Sequence, residues 1–167
     1  LVLMVASLKA QKQTGVPIVG ILTRLGDTAL NIQYQNPPQF YSYIEGSYVD
    51  YVNMAGAVGV PVEYDLSRAQ LLNLLTNTDM LVIPGGDLAN ELNPAFQKTA
   101  TFIIDWAVQR NKAGVVYPVY AMGVGLHNLM IALAGTPDVV TCGYNDTFVS
   151  YPIFIQQSST PHSRFWA

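Results

Sequence analysis

Cysteine, histidine and charged side chains are all scarce in this chain of 167 residues. The one cysteine, Cys142, excludes an intramolecular disulfide and a cysteine-rich metal site. The two histidines, His127 and His162, lack H-x-x-x-H spacing, which argues against zinc. Charged residues make up 11% of the chain, against about 25% in ordinary domains. So few charges indicate extensive burial, including burial against partners.

Clusters of basic residues and long apolar runs are also missing. The eight lysines and arginines are scattered and the net charge is −3, so the sequence lacks the basic stripe that nucleic-acid binding requires. No apolar run reaches the roughly 18 residues of a membrane-spanning helix. Residues 1–15 are predicted to be an apolar arm or the remnant of a presequence. Residues 16–167 suit one domain.

Strand-like apolar runs alternate with amphipathic helical stretches along that domain, a pattern that predicts a parallel sheet with helices on both faces. Either Asp65 or Ser67 would cap the second helix. The last part, residues 138–167, alternates in the manner of peripheral or antiparallel strands. The predicted strands are residues 16–24, 57–64, 79–86 and 115–122, and the predicted helices are residues 41–56, 65–78, 93–114 and 124–135.

Two glycine-bearing turns follow predicted strands, the Pro84-Gly85-Gly86 turn and residues 122–125. Ligands of open parallel sheets bind beyond the carboxyl ends of the strands, so both turns are expected to line one crevice. The second turn has the outline of a nucleophile elbow, G-x-[SC]-x-G, with Gly123 at its apex. We expect Gly-permissive backbone angles at Gly123, because an elbow is strained for residues that carry a Cβ.

Five ordered pieces of the sequence resemble the gamma-glutamyl hydrolases of the class I glutamine amidotransferase-like superfamily, over about residues 16–165. The resemblance implies a three-layer, doubly wound, mostly parallel α/β fold of flavodoxin-like type. It also implies hydrolysis of gamma-glutamyl peptide bonds, as in folyl polyglutamates, by an elbow cysteine and a later histidine with a nearby glutamate, without metal or cofactor. The pieces are GVPIVGILTR, YIEGSYVDYVNMAGAVGVPVEYDL, DMLVIPGG, YPVYAMGVGLHNLMIAL and TPHSRF.

The chain departs from that family's pattern at the elbow. Gly123 stands where the resemblance places the nucleophile, and His127 stands where it places a substrate-holding glutamate. The resemblance still implies an oxyanion-hole-like pocket made by the backbone of Gly85, Gly86 and Val124. No segment matches the end that carries the catalytic histidine, so we expect the domain to be C-terminally incomplete relative to the family.

The other candidate site residues have competing interpretations. His162 matches a family position close to the substrate cleft, and with His127 it is a cleft candidate. Without an elbow cysteine, however, a structural role is favoured for both histidines. Cys142 is the obvious alternative nucleophile, but its strand-end context favours a buried, inert thiol. The serines near the C-terminus lack an elbow or an orienting acid.

Three functions therefore stand at this point. The favoured hypothesis is a catalytically inactive gamma-glutamyl hydrolase-like domain retained as a structural or interaction subunit of a larger assembly. The alternative is a gamma-glutamyl hydrolase of which this is a partial or divergent chain. The third is a binding module that keeps a pocket for a gamma-glutamyl ligand without turning it over.

Protein partners are expected to cover the C-terminal edge of the sheet and the N-terminal arm. An unpaired edge strand is an aggregation hazard unless it is covered or charged, and this chain has few charges near Phe154, Phe165 and Trp166. The compartment stays open: the family is typically secreted, lysosomal or vacuolar, and an organellar assembly is a further possibility. The N-x-T sequon at Asn145 matters only in a secretory compartment.

Overall fold

The computed structural model of the protein describes residues 15–25, 42–86 and 94–139. Strands and helices alternate through most of these ranges. In chain order they are β1 Ile18–Leu22, β2 Arg24–Leu25, β3 Ser42–Tyr43, α1 Gly46–Met54, β4 Val58–Val62, α2 Arg68–Thr76, β5 Met80–Ile83, α3 Pro94–Lys112, β6 Val119–Ala121, α4 Val124–Ala134 and a 3₁₀ turn Pro137–Val139.

Four strands form one parallel sheet in the order β4-β1-β5-β6. In its register Gly20 of β1 pairs with Val60 of β4 on one side and with Leu81 of β5 on the other. From β1 the chain goes to β4 at one edge, then crosses back over β1 to reach β5. The strand order therefore reverses between β1 and β5, and such a switch point is where open α/β sheets bind ligands. The prediction of a mostly parallel α/β fold is confirmed.

The two faces of the sheet carry separate apolar clusters, because successive side chains of a strand point to opposite faces. On one face Val19, Ile21 and Val82 are buried against Val52 of α1. On the other face α3 supplies its buried stripe with helical spacing, as predicted, and α2 adds its two buried leucines. The buried members of that second cluster are Leu22, Val62, Leu71, Leu75, Leu81, Ile83, Phe96, Ala100, Ile103, Ile104, Ala107 and Tyr117.

Helix ends follow the polar and glycine signals of the sequence. Ser67, one of two predicted caps, begins α2 with a capping box in which its side chain and that of Gln70 each accept from the other residue's backbone N–H. Gly135 ends α4 in the left-handed conformation, with φ of 71°. The predicted helix limits at these two ends are confirmed.

The described elements are mostly a few residues shorter than predicted, and two of them differ most in their limits. The helix predicted from residue 41 begins only at Gly46, because Ser42 and Tyr43 pair with Leu25 and Arg24 in a second, antiparallel sheet. The strand predicted for residues 115–122 shrinks to Val119–Ala121. The Asn111 side chain binds both the backbone N–H of Tyr117, at 2.8 Å, and its carbonyl oxygen, at 2.9 Å, which withdraws this residue from the strand ladder.

Neighbouring residues of α1 differ sharply in exposure. Tyr51 is 54% exposed, whereas Val52, which follows it, is buried. The Tyr51 ring stacks on the exposed ring of Tyr120 in β6, with centroids 6.4 Å apart. This face of β6 is therefore covered by an aromatic pair at its margin.

Several predictions lie outside the described residues. These include the apolar arm up to residue 14, the predicted strands from residue 140 onward, and the candidates Cys142 and His162. Within residues 15–25, 42–86 and 94–139, no helix is long and apolar enough to cross a membrane.

Tyr117 fixes the base of the sheet beneath β6. It is 1% exposed, and its hydroxyl is 2.8 Å from Thr78 Oγ1. The Trp106 ring meets it edge-on, at 4.8 Å between centroids. Burial raises the pKa of Tyr117 to about 12, although the hydrogen bond with Thr78 and the charge of Arg110 oppose that rise.

The raised pKa makes stability depend on alkaline pH. Unfolded tyrosine ionises near pH 10, as is typical, whereas folded Tyr117 keeps its proton to about pH 12. We expect its contribution to be fully present below about pH 10 and lost between about pH 10 and 12, by at most about 3 kcal/mol. Urea unfolding across this range should show a shallower decline for Tyr117→Phe than for the unmodified chain. Tyr51→Phe, at an exposed position, should leave the decline unchanged; equal slopes for both variants would contradict the prediction.

Candidate functional site

The turn between β6 and α4 has the geometry of a nucleophile elbow. The strand ends at Ala121, and α4 begins at Val124. Between them Gly123 has φ of 52° and ψ of −126°. A residue with a Cβ is strained at such angles, and elbows hold their apex residue in strained turns of this kind. The predicted Gly-permissive conformation of Gly123 is confirmed.

Backbone contacts hold this elbow against the end of β5. The Met122 N–H donates to the Ile83 carbonyl at 3.1 Å, and the Gly125 N–H donates to the Met122 carbonyl at 2.9 Å. A Cβ added to Gly125 would lie 2.5 Å from the carbonyl oxygens of Ile83 and Pro84. The first turn of α4 can therefore rest on the β5 backbone only because residue 125 is glycine.

The Pro84-Gly85-Gly86 turn meets the elbow, as the sequence predicted. A Cβ added to Gly85 would lie 3.1 Å from the Met122 carbonyl oxygen and 3.3 Å from the Gly123 Cα. The Gly85 N–H donates to the Tyr48 hydroxyl of α1 at 3.0 Å. We use "crevice" for the space that these two turns and the residues after β1 border at the switch point.

The oxyanion-hole-like role of Gly85, Gly86 and Val124 stays a prediction. The Gly85 N–H is engaged with Tyr48, so this donor would have to exchange partners to serve a ligand. Val124 is the first residue of α4, where the positive end of the helix dipole lies. His127 is half-buried one turn further along α4. The other cleft candidate, His162, lies outside the described residues.

Arg24, which the sequence analysis did not single out, lies in the same place. It lies two residues after the end of β1, as the first residue of β2. It is 4% exposed and forms an ion pair with Glu45 through Nη1 and Oε1. Its guanidinium carbon lies 5.2 Å from the centroid of the Tyr43 ring. A Cβ added to Gly86 would overlap the guanidinium group, so the absence of a side chain there provides its space.

A signal for Arg24 was present in the sequence. A charged residue directly after a buried strand of a parallel sheet stands at the carboxyl edge, where ligands bind. A buried charge is costly unless it is paired, so its burial also predicts a nearby acid. Which acid could not be read from the sequence, because Glu45 reaches Arg24 only through the pairing of β2 with β3.

The described residues bring charged groups and hydrogen-bonding groups to the crevice. It offers a cation at Arg24, a carboxylate at Glu45, the Tyr48 hydroxyl and backbone groups of two glycine turns. The apex of the elbow carries no side chain. Among the residues whose placement is described, no three His, Cys, Asp or Glu side chains are grouped as metal ligands would be.

The strand order, the helices on both faces and the elbow at the switch point define an α/β protein of the class I glutamine amidotransferase-like fold. Within this class the chain belongs to the peptidase C26 family, whose model matches residues 17–139. The matched region runs from the start of β1 to the 3₁₀ turn after α4 and contains both glycine turns.

Curated relatives agree with this assignment. Gamma-glutamyl hydrolase B of Dictyostelium discoideum is 31% identical over 137 residues, which cover 82% of this chain and 38% of that protein. Gamma-glutamyl hydrolase of Glycine max is 33% identical over 117 residues, covering 70% and 32%. The Homo sapiens enzyme of the same name is 29% identical over 119 residues, covering 71% and 36%. The chain thus spans about a third of the length of these relatives.

The contact between α4 and β5 can be tested at glycine positions at the two ends of one helix. Gly125→Ala places a Cβ against two carbonyl oxygens, and we expect a loss of about 3 kcal/mol or more in the free energy of unfolding, at the upper end of overpacking costs. Gly135→Ala meets no atom within 4 Å but must adopt φ of 71°, which costs about 1 kcal/mol. Urea unfolding of both variants gives the comparison; a smaller loss at Gly125 than at Gly135 would contradict the described packing.

Proposed function

We propose that this chain is a catalytically inactive gamma-glutamyl hydrolase-like domain, retained as a structural or interaction subunit. The observation that carries the proposal is Gly123. Its backbone has the angles of an elbow apex, at the position where the family resemblance places the nucleophile, yet a glycine has no group that could attack a carbonyl.

The reaction itself explains why this one position matters. Acyl transfer through a covalent intermediate requires a nucleophile, a base to take its proton, and donors for the developing oxyanion. Backbone donors alone lower the barrier but cannot form the acyl intermediate. Removing the nucleophile from a catalytic triad typically costs about 10⁴- to 10⁶-fold in rate.

The rival proposal is a gamma-glutamyl hydrolase. It is favoured by the names of the relatives and by the elbow, whose contacts with β5 and the Pro84-Gly85-Gly86 turn are in place. It requires a nucleophile from elsewhere, and Cys142, the only thiol in the sequence, is the first candidate.

A turnover assay separates these two proposals. We expect the full 167-residue chain to leave a gamma-glutamyl dipeptide and a folyl polyglutamate uncleaved above the buffer rate. Turnover that survives alkylation of the thiol would refute the proposed inactivity. Turnover that is lost in Cys142→Ser would instead show that the nucleophile has moved to residue 142.

A designed thiol tests whether the elbow would still support a nucleophile. In a Cys142→Ser background, we compare Gly123→Cys with Gly135→Cys, because both glycines have positive φ and lie at opposite ends of α4. A helix N-terminus lowers a thiol pKa. We therefore expect the thiol at residue 123 to react with iodoacetamide at pH 7 several-fold faster than the thiol at residue 135. Equal rates would argue against an elbow that could activate a nucleophile.

The subunit role has a second support, an apolar stripe on α4. Leu126, Met130 and Leu133 are 46%, 41% and 56% exposed, and their spacing places them on one helix face. Large exposed apolar patches mark association sites. The predicted burial of the C-terminal aromatic residues and of the N-terminal arm against other subunits remains part of this proposal, outside the described residues.

Association can be measured on the isolated chain by light scattering coupled to size exclusion. We expect a mass above that of the monomer, lowered in the double variant Leu126→Glu, Leu133→Glu. The control adds the same two charges at the exposed positions Asn53→Glu and Gln109→Glu and should leave the mass unchanged. A monodisperse monomer in the unmodified chain would contradict a role in an assembly through this face.

A further inference from the structure

Arg24 is held in the wall of the crevice by local structure. Its backbone belongs to β2, which pairs antiparallel with β3, and in that register Arg24 lies opposite Tyr43. The same pairing brings the Tyr43 ring beneath the guanidinium group, with 5.2 Å from the guanidinium carbon to the ring centroid. Stacking on an aromatic face orients an arginine and restricts its rotamers.

The guanidinium group is buried beside an exposed glycine. The Arg24 side chain is 5% exposed. Gly86, whose missing side chain provides its space, is exposed at the surface. The charge thus lies immediately behind the Pro84-Gly85-Gly86 turn at the switch point. A cation at this depth needs a counter-charge, because an uncompensated buried charge is strongly destabilising.

Glu45 supplies that counter-charge, and its carboxylate is free to rotate away from Arg24 into solvent. Its side chain is 47% exposed. It is the N-cap residue of α1, but its side chain makes no capping hydrogen bond. The N-terminal turn of α1 is held by the Glu45 carbonyl, which accepts from the Tyr48 N–H at 3.0 Å. Rotation of the carboxylate away from Arg24 would therefore leave the helix start intact.

We propose that Arg24 is a carboxylate-binding residue of the crevice, and that Glu45 occupies its binding position until a ligand carboxylate replaces it. The ligand class is a small organic acid, because the planar guanidinium fork matches a carboxylate and because a carboxylate is the group it holds now. The inference concerns binding only and holds whether or not the chain turns over a substrate.

The test is a calorimetric titration of the full chain with glutarate, which has no bond for a gamma-glutamyl hydrolase to cleave, at fixed ionic strength. We expect Glu45→Gln to bind glutarate at least tenfold more tightly than the unmodified chain, because the internal competitor is gone. Asp50→Asn changes the net charge equally from an exposed position on the same helix and should bind like the unmodified chain. The uncharged diamide, glutaramide, should gain nothing from Glu45→Gln.

Three results of the titrations would contradict the proposal. Equal glutarate affinity in Glu45→Gln and Asp50→Asn would overturn the proposal, as would an equal gain for glutaramide or for inorganic phosphate. Adding Arg24→Lys to Glu45→Gln should remove most of the gain. If that double variant does not fold, NMR of the Glu45→Gln variant provides the test. The Arg24 Nε–Hε resonance should shift when glutarate is added and should not shift with glutaramide. A resonance that does not move with glutarate would contradict the inference.

Discussion

The direct backbone contact between the end of β5 and the start of α4 positions the two glycine turns of the crevice. Hydrogen bonding of Met122 to Ile83 continues the sheet into the elbow, and Gly125 lets the helix rest directly on two carbonyl groups. Because no side chain separates the two elements, a side chain cannot be added at residue 125 without moving them apart. The angles of Gly123 and the approach of Gly85 both follow from this contact.

A turn of this kind normally holds an apex residue in a strained conformation. At Gly123 the same backbone angles cost a glycine little, because the penalty arises from the Cβ that it lacks. The charged side chains described at the crevice lie on its β1 side, where Arg24 and Glu45 form a pair. Only the Arg24 member of this pair is buried, and its desolvation offsets much of the attraction between the two charges. The pair does place charges of both signs at the switch point.

Much of this fold could be predicted from local patterns. The length of α3 follows from Pro94 at its first turn and from its apolar stripe, and the end of α4 follows from Gly135. The elbow could be predicted because glycine spacing is itself a local signal. The exposure of Tyr51 could not be predicted, because its helix, Gly46–Met54, is too short for spacing alone to fix which face is buried.

The Arg24 pair could not be predicted for a different reason. A charged residue at a strand end usually remains in water, and its burial here depends on Gly86 far along the chain and on two strands of two residues each. Pairings this short between distant segments do not produce a recognisable pattern of hydrophobic residues in the sequence. The hydrogen bond from the Gly85 N–H to the Tyr48 hydroxyl could not be predicted either, because a tyrosine in an amphipathic helix is usually interpreted as a packing residue.

The antiparallel pairing of β2 with β3 also has a consequence for how this region can vary. It brings residues 25 and 42 side by side, so the intervening segment, residues 26–41, starts and finishes at one closed stem. Loop-closure entropy rises slowly with length, and doubling such a segment costs only about 0.6 kcal/mol. The β2–β3 pairing would therefore lose little stability if the number of residues between its two strands changed. Related chains could differ greatly in this segment while β1, α1 and the Arg24 pair keep their register.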